Sequence, residues 1–241
     1  MARTIVIIGG RGKVGSRLAR ILSAKGDTVK SLIRDPTHKD DITILGAQPV
    51  LQSIEDASVD QLAETFRGSD AVVFSAGAGG KGGPERTKKV DLEGAKKAID
   101  ATRQAGVKRF LMISAISARE THDIPAHWNE EDVQRFKRSH EILGRYNLAK
   151  AEADRYLAQQ SELDWTILRP GALTEESGTG KVALGKIHLS GDATRDDVAA
   201  TLSALLDKPK SKHLVLDMLN GDTPITEAVQ KTVKDIEKGL W

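Results

Sequence analysis

Short runs of β-branched and apolar residues alternate with longer segments of helical period along the chain. The runs predict strands at Thr4–Ile8, Thr28–Ile33, Gln48–Leu51, Ala71–Phe74, Arg109–Ile113, Trp165–Leu168 and Leu214–Leu216. A short, continuously apolar run such as the first is typical of a strand that is buried on both faces. Strands separated by helices need crossover connections. The pattern therefore predicts an α/β fold: a doubly wound, mainly parallel sheet with helices on both faces.

The length of 241 residues fits one domain. Residues 117–140 are highly charged and lack strict periodicity, which predicts an excursion at about 115–143 with one amphipathic turn. A helix is then expected over about Tyr146–Gln160. Residues from about 170 to 241 are expected to form a small extension on the ligand side of the sheet, because ligands of such sheets bind at the carboxyl ends of the strands.

Charge and composition exclude several classes of function. The 36 basic and 34 acidic side chains give a net charge of +2, which does not indicate a nucleic-acid or membrane-surface partner. The absence of Cys excludes disulfides, thiolate metal sites and Cys nucleophiles. His122 and His127 have no acidic partner at metal-ligand spacing, so no metal site is predicted. The apolar run Ile5–Ile8 is too short for a signal-peptide core or a membrane span, and a soluble, cytoplasmic protein is expected.

The first strand leads into the first helix through a glycine-rich segment, Gly9-Gly10-Arg11-Gly12-Lys13-Val14-Gly15. This segment fits both the Gly10-x-Gly12-x-x-Gly15 and the Gly9-x-x-Gly12-x-x-Gly15 spacing. Small residues at these positions allow a tight turn and let backbone amides approach a pyrophosphate at the positive end of the following helix. Glycine spacing alone is a weak signal, but its place between a strand and a helix predicts a dinucleotide site formed by this segment.

The end of the second strand bears on which dinucleotide binds. Arg34 lies there and Arg11 lies in the glycine-rich segment, so two guanidinium groups are placed to bracket a 2′-phosphate. Asp35 has the spacing from Gly15 that suits a ribose-binding acid, but its position before Pro36 also suits a turn. We therefore expect NADP, with NAD as the alternative.

Further motifs extend over most of the chain. They are Ile33-Arg-Asp-Pro36, Asp70-Ala-Val-Val-Phe-Ser-Ala-Gly77, Val90-Asp-Leu-Glu-Gly94, Gly106-Val-Lys-Arg-Phe110, Tyr146-Asn-Leu-Ala-Lys150 and Asp164-Trp-Thr-Ile-Leu-Arg-Pro-Gly171. With the glycine-rich segment, they resemble the short-chain dehydrogenase/reductase superfamily, in particular its atypical, NmrA-like branch. The resemblance implies a single NAD(P)-binding Rossmann domain over residues 1–241.

The resemblance also implies where the cofactor is contacted. Residues on the adenine-ribose side are Ser75, Ala76 and Gly77, and backbone groups approach the nicotinamide amide at Pro170, Gly171, Ala172 and Leu173. One position departs from the branch: Ser53 stands where an adenine-binding Asp is expected.

The catalytic set implied by the resemblance is Ser114, Tyr146 and Lys150. Tyr146 and Lys150 are four residues apart on a predicted helix and project from one face. A nearby ammonium is expected to lower the pKa of the Tyr146 hydroxyl from its usual value of about 10. Tyr146 would give a proton to a carbonyl oxygen as hydride arrives, while Ser114 bonds the same oxygen and Lys150 also holds the nicotinamide ribose. The alternative for the Tyr/Lys pair is a solvated helix face.

Together these features predict an NADP(H)-dependent oxidoreductase that transfers hydride to a small carbonyl or similar acceptor, as a monomer or homodimer. The alternatives are a non-catalytic NADP(H)-binding redox sensor, a flavin or quinone reductase, and a nucleotide-sugar epimerase. The epimerase is disfavoured because only about 70 residues follow Pro170. Trp128 and Phe136 either form an apolar lid over the nicotinamide pocket or pack the excursion onto the fold.

Overall fold

The computed structural model describes residues 2–79 and 82–237. The strands among them are β1 Thr4–Ile8, β2 Thr28–Ile33, β3 Gln48–Leu51, β4 Ala71–Phe74, β5 Arg109–Ile113, β6 Asp164–Pro170, β7 Ala172–Thr174, β8 Lys181–Gly185, β9 Asp192–Thr194, β10 Leu214–Asn220 and β11 Thr223–Pro224. The α-helices are α1 Lys13–Ala24, α2 Lys39–Ile44, α3 Val59–Phe66, α4 Gly83–Thr87, α5 Ala95–Gln104, α6 Glu130–Ala158, α7 Arg195–Leu206 and α8 Ile225–Glu237. The sequence after β4, Ser75–Gly83, is rich in glycine and predicts a loop; its residues 80 and 81 lie outside the described residues.

Nine strands form one sheet in the order β11-β8-β10-β6-β5-β4-β1-β2-β3. The strands from β10 to β3 pair in parallel, whereas β8 is antiparallel to both β10 and β11. The direction of winding reverses between β1 and β4, and the crevice at such a reversal is where doubly wound sheets bind ligands. The predicted doubly wound, mainly parallel fold is confirmed.

The sheet separates two apolar layers, and the alternation along β1 shows how. Ile5 and Ile7 pack in the cluster that includes α1, α7 and α8, whereas Val6 and Ile8 pack in the cluster that includes α3, α5 and the C-terminal half of α6. All four side chains are almost completely buried. Burial on both faces explains why this strand is a continuous apolar run rather than an alternating one.

Helix α6 begins at Glu130. The sequence predicts an irregular excursion up to residue 143 and a helix only from about Tyr146, and this is wrong for residues 130–143. The helix starts there because the side chains of Asn129 and Asp132 each accept a hydrogen bond from the other's backbone amide, at 2.9 Å, in a capping box. Leu143 has non-helical backbone angles (φ −121°, ψ 21°) and kinks the helix. The first arm carries no clear helical pattern because Phe136 is its one buried apolar side chain, whereas Ile142 is exposed.

Residues 83–104 form three consecutive helical parts rather than one continuous α-helix. Between α4 and α5 lies a π-helical segment, Lys88–Gly94. The segment after Pro170 mostly extends the main sheet through β8, β10 and β11, and only part of it reaches the ligand side. Among the described residues no helix has the length and apolar character needed to cross a bilayer, and no three His, Asp or Glu side chains cluster as metal ligands would.

Candidate functional site

The glycine-rich turn between β1 and α1 leaves a space at the start of the helix that a side chain would fill. Gly9 has a φ of +79°, and a Cβ there would lie 2.8 Å from the backbone of Ala76. A Cβ on Gly15 would lie 2.4 Å from the carbonyl oxygen of Gly9. No side chain caps α1 at Gly12, and its first turn holds no acidic residue. The amide-rich, positive end of α1 is therefore left for an anion.

A cavity of about 410 Å³ opens beside this turn, at the carboxyl ends of β1 to β4. Eight of the predicted cofactor residues line it: Gly9, Arg11, Gly12, Arg34, Ser53, Ser75, Ala76 and Gly77. Gly10, Val14 and Gly15 are buried in the turn and the first helical residues rather than on the cavity wall. Lys13 is directed outward and pairs with Glu175.

Three residues of this cavity were missed by the sequence reasoning: His38, Glu55 and Arg86. Glu55 accepts hydrogen bonds from Arg34 at 2.8 Å and from Arg86 at 3.1 Å. Burial opposes ionisation of Glu55, but the two guanidinium groups outweigh it and lower its pKa. Glu55 therefore holds two cations side by side at the cavity wall, and Arg11 is held in the same way by Asp41 at 2.6 Å.

Asp35, the alternative ribose-binding acid, is engaged in a turn. Its carboxylate accepts hydrogen bonds from the Thr37 hydroxyl at 2.6 Å and the Thr37 amide at 2.9 Å. These bonds lower the pKa of Asp35. The residue caps the short turn at Pro36–His38 and does not line the cavity, so the structure favours the turn interpretation.

A second cavity, of about 390 Å³, lies at the carboxyl ends of β5 and β6. Six predicted residues line it: Ser114, Tyr146, Pro170, Gly171, Ala172 and Leu173. The first arm of α6 contributes residues that the sequence reasoning missed, Arg135, Ser139 and Leu143, and the segment before β9 contributes Leu189 and Gly191. Its apolar side chains and a few hydroxyls make it suitable for a small organic molecule.

The two segments that wall this second cavity are tied to each other through Asp132. Its carboxylate contacts His188 Nδ1 at 2.6 Å and accepts a hydrogen bond from the Leu189 amide, also at 2.6 Å. Burial disfavours the charged form, but the bond to His188 and the backbone amide bonds lower the pKa of Asp132. The first arm of α6 and the segment before β9 are thus fixed relative to each other by one buried carboxylate.

Ser114 is 3% exposed, and its hydroxyl donates a hydrogen bond to Asp154 Oδ2 at 2.9 Å. Asp154 also accepts a hydrogen bond from Arg169 Nε at 2.8 Å. A hydroxyl has a single proton and a carboxylate only accepts, so this bond commits the proton of Ser114. Ser114 therefore presents lone pairs to the cavity, and it must leave Asp154 before it can donate to a substrate oxygen as the sequence-based hypothesis requires.

Lys150 lies behind Tyr146 rather than on the cavity wall. Its ammonium is buried, 5.9 Å from the centre of the Tyr146 ring, and forms an ion pair with Asp91 at 3.1 Å and a hydrogen bond to the Ile113 carbonyl at 3.2 Å. Burial lowers the pKa of Lys150, but Tyr146 and Asp91 outweigh it and raise that pKa. The ammonium form is therefore the stable one.

The expected direction of the Tyr146 pKa is wrong. Lys150 does act to lower it, but burial of the phenol is the larger effect, and the carboxylates of Asp91 and Asp154 add to it. The net result is a raised pKa, so the hydroxyl of Tyr146 holds its proton at neutral pH.

Trp128 and Phe136 pack the loop before α6 onto the fold instead of covering a cavity. Their rings meet edge to face at a centroid distance of 5.6 Å, and both side chains are buried. Arg119 lies 5.0 Å from the Trp128 ring, and His140 lies 4.5 Å from the Phe136 ring. Neither aromatic residue lines the second cavity, so of the two interpretations the packing one holds.

An uncapped helix start beside a glycine turn, with a cavity across the winding reversal and a second one at β5 and β6, defines the class of this chain as a dinucleotide-binding doubly wound protein. A family model described as NAD(P)H-binding matches residues 9–209. The chain belongs to this NAD(P)H-binding family. Its motifs and structural neighbours agree with the atypical short-chain dehydrogenase/reductase assignment.

Three similar proteins illustrate the range of the family. The UPF0659 protein C216.03 of Schizosaccharomyces pombe is 40% identical over 228 residues, covering 93% of this chain and 92% of that protein. A putative NAD-dependent epimerase/dehydratase from Bacillus halodurans is 31% identical with a TM-score of 0.82, over 95% of this chain and 100% of that one. The oxidoreductase ylbE from Lactococcus lactis is 32% identical with a TM-score of 0.79, over 96% and 97% of the two chains.

Proposed function

We propose that this chain is an NADP(H)-dependent oxidoreductase that reduces a small carbonyl compound or a similar acceptor. The observation that carries the proposal is the placement of Ser114 and Tyr146 on the wall of one cavity, with the Lys150 ammonium buried behind the Tyr146 ring. A protonated phenol with a cation behind it is suited to give a proton to an oxygen that gains negative charge.

The residues present fit the cofactor. The backbone amides of Gly9–Gly15 would hold the pyrophosphate, since a Cβ at Gly9 or Gly15 would fill the cradle. The first cavity would take the adenine and its ribose, and Pro170–Leu173 would meet the nicotinamide amide on the wall of the second. When bound, the reduced cofactor supplies a hydride.

The chemistry assigned to the chain's own residues is proton delivery. As hydride reaches the carbonyl carbon, the carbonyl π bond breaks, and the Tyr146 hydroxyl passes its proton to the carbonyl oxygen. The product is an alcohol and Tyr146 is left as a phenolate, which the Lys150 ammonium stabilises until solvent restores the proton. The lone pairs of Ser114 accept a hydrogen bond from the hydroxyl of the product, because its own proton is held by Asp154.

The preference for NADP is supported by the charges at the first cavity. Arg11, Arg34 and Arg86 line it, and the acid that would favour a free ribose hydroxyl, Asp35, is bonded within its own turn. A 2′-phosphate placed here would meet guanidinium groups, each of which can donate two parallel hydrogen bonds to phosphate oxygens.

Replacing Arg34 by Ala is expected to weaken NADPH binding on the order of tenfold to 100-fold and NADH binding by about twofold or less, because the lost hydrogen bonds are to a charged group that NADH lacks. The measurement is calorimetric titration with each cofactor. Arg67→Ala is a matched control, since both arginine side chains are 58% exposed and each pairs with a glutamate. Equal losses for NADPH and NADH in Arg34→Ala would refute the 2′-phosphate role.

The reaction itself is tested by following NADPH consumption against a panel of aldehydes, ketones, quinones and flavins. Consumption with carbonyl compounds, and loss of it in a Tyr146 variant, would support the proposal. Consumption with flavins or quinones alone would replace the carbonyl acceptor. A redox sensor would bind NADPH with no turnover across the panel, and an epimerase would convert sugar nucleotides without net consumption of cofactor. Either of the last two results would overturn the proposed reduction.

A further inference from the structure

Asp91 lies outside the predicted catalytic set, but its buried carboxylate contacts Lys150, the cation of that set. Asp91 is completely buried, and its carboxylate forms an ion pair with Lys150 at 3.1 Å. The same carboxylate accepts a hydrogen bond from the Ala78 amide at 3.0 Å. Ionised groups are rarely buried unless they are paired. The pair of Asp91 and Lys150 is therefore a fixed, oppositely charged unit in the wall behind Tyr146.

Local backbone geometry places Asp91 there. The residue lies in the π-helical segment Lys88–Gly94, and such bulges are frequent at functional sites because they turn one side chain out of the regular helical spacing. On the opposite side the chain has Gly77, where a Cβ would lie 3.1 Å from Asp91 Oδ1. The absence of a side chain at Gly77 leaves room for the carboxylate between the end of β4 and helix α6.

We infer that Asp91 is a positioning residue that offsets part of the attraction of Lys150 for the Tyr146 phenolate, and so adds to the burial that keeps the Tyr146 hydroxyl protonated as a proton donor. Lys150 alone would stabilise the phenolate, as a proton-abstracting site requires. Paired with Asp91, it exerts a weaker net field at the phenol, so the phenolate is stabilised less than it would be by an unpaired ammonium. The electrostatic part of this inference is independent of any substrate, whereas its consequence for the direction of catalysis rests on the proposed function.

The other charged groups that face Tyr146 are themselves paired or exposed. Asp154, behind Ser114, is bonded to Arg169. Arg135, on the first arm of α6, pairs with Glu131 at 2.7 Å. Asp192, on the far wall of the cavity, is exposed to solvent, which screens its charge. The pair of Asp91 and Lys150 is thus the unit whose two charges are expected to govern the phenol.

The pKa of Tyr146 is directly measurable because the sequence contains two tyrosines, Tyr146 and Tyr156. In a Tyr156→Phe background, tyrosinate absorbance after a rapid pH jump reports Tyr146 alone, on a chain that is still folded. In this background Asp91→Asn is expected to lower the pKa of Tyr146 by about one unit or more, the size of effect that an opposite charge at short range exerts. Lys150→Met is expected to raise it.

The double variant Asp91→Asn/Lys150→Met separates cancellation from a merely structural role for Asp91. If Asp91 offsets part of the effect of Lys150, the double variant titrates clearly below Lys150→Met and towards the Tyr156→Phe background. If Asp91 has no electrostatic effect, it titrates as high as Lys150→Met, and the inference is overturned. An unchanged or raised pKa in folded Asp91→Asn also overturns it. Should Asp91→Asn fail to fold, the double variant, which buries no unpaired charge, decides.

No acceptor is present in this titration, so its failure and the failure of the proposed function are distinguishable. A lowered pKa in Asp91→Asn together with no NADPH consumption on the panel would uphold the inference and reject the reductase. The reverse pair of results would uphold the reductase and show that Asp91 only fills and braces the space beside Lys150.

Discussion

Tyr146→Phe is expected to lower turnover of NADPH, with whichever carbonyl compound the enzyme accepts, on the order of 100-fold to 10,000-fold, the usual contribution of a positioned general acid. The substitution removes one hydroxyl and leaves the ring in place. Since that hydroxyl makes no hydrogen bond that the fold depends on, stability and NADPH affinity should be nearly unchanged. Steady-state kinetics and calorimetry on the same preparations measure both quantities.

Tyr156→Phe is the matched control for this experiment. The hydroxyl of Tyr156 bonds to Asp100 at 2.8 Å and lies outside both cavities. Its loss should leave turnover within about twofold, since it removes one partly exposed hydrogen bond. Equal turnover in Tyr146→Phe and the unmodified chain would show that Tyr146 does not give the proton. The acceptor would then be one that needs no acid from the protein, such as a flavin.

Gly15→Ala is expected to weaken binding of both NADPH and NADH on the order of 100-fold or more, because the pyrophosphate cradle requires close approach of backbone to ligand. The added Cβ would meet the Gly9 carbonyl oxygen at 2.4 Å. Neither group is the end of a flexible side chain, so the turn must move. The pyrophosphate is common to the two cofactors, and the losses should therefore be equal, unlike those expected for Arg34→Ala.

Gly144→Ala provides the control for the glycine substitution. Gly144 is also within a helix, and a Cβ there meets nothing within 4 Å. Ala is a better helix former than Gly, so this variant should bind both cofactors normally and be as stable as the unmodified chain or more so. Calorimetric titration decides. A folded Gly15→Ala chain that binds NADPH with undiminished affinity would contradict the location of the pyrophosphate site.

The fold follows from the sequence where burial is complete on both faces. The bounds of β1 and of Gln48–Leu51 agree with the structure because turn residues and apolar content mark the ends of such strands. Strand β6 is longer than predicted, since Asp164 and Pro170 are residues that a propensity argument places outside a strand, although Pro is tolerated at a strand end. The short strands β7, β9 and β11 carry no periodic signal because each has two or three residues.

The predicted site residues fall into two groups. Those on the glycine turn and at strand ends could be located from spacing, since topology alone brings the carboxyl ends of parallel strands to one edge. Arg86 and Glu55 could not, because they meet at the first cavity from loops and a short helix with no motif of their own. The sign of the Tyr146 pKa was also beyond the sequence. The spacing of Tyr146 and Lys150 is visible there, but the contact between Lys150 and Asp91, 59 residues apart in the chain, is not.

The kink at Leu143 divides α6 into two pieces with separate tasks. The arm before it supplies Arg135 and Ser139 to the second cavity, whereas the arm after it carries Tyr146 and Lys150. Because the non-helical residue lies between them, the first arm can change in sequence without altering the helical spacing of Tyr146 and Lys150. Under the proposed function, relatives with different acceptors are expected to diverge in residues 130–142 and to retain the second arm. Exchanging the first arm is then the most direct way to change which compound the enzyme accepts.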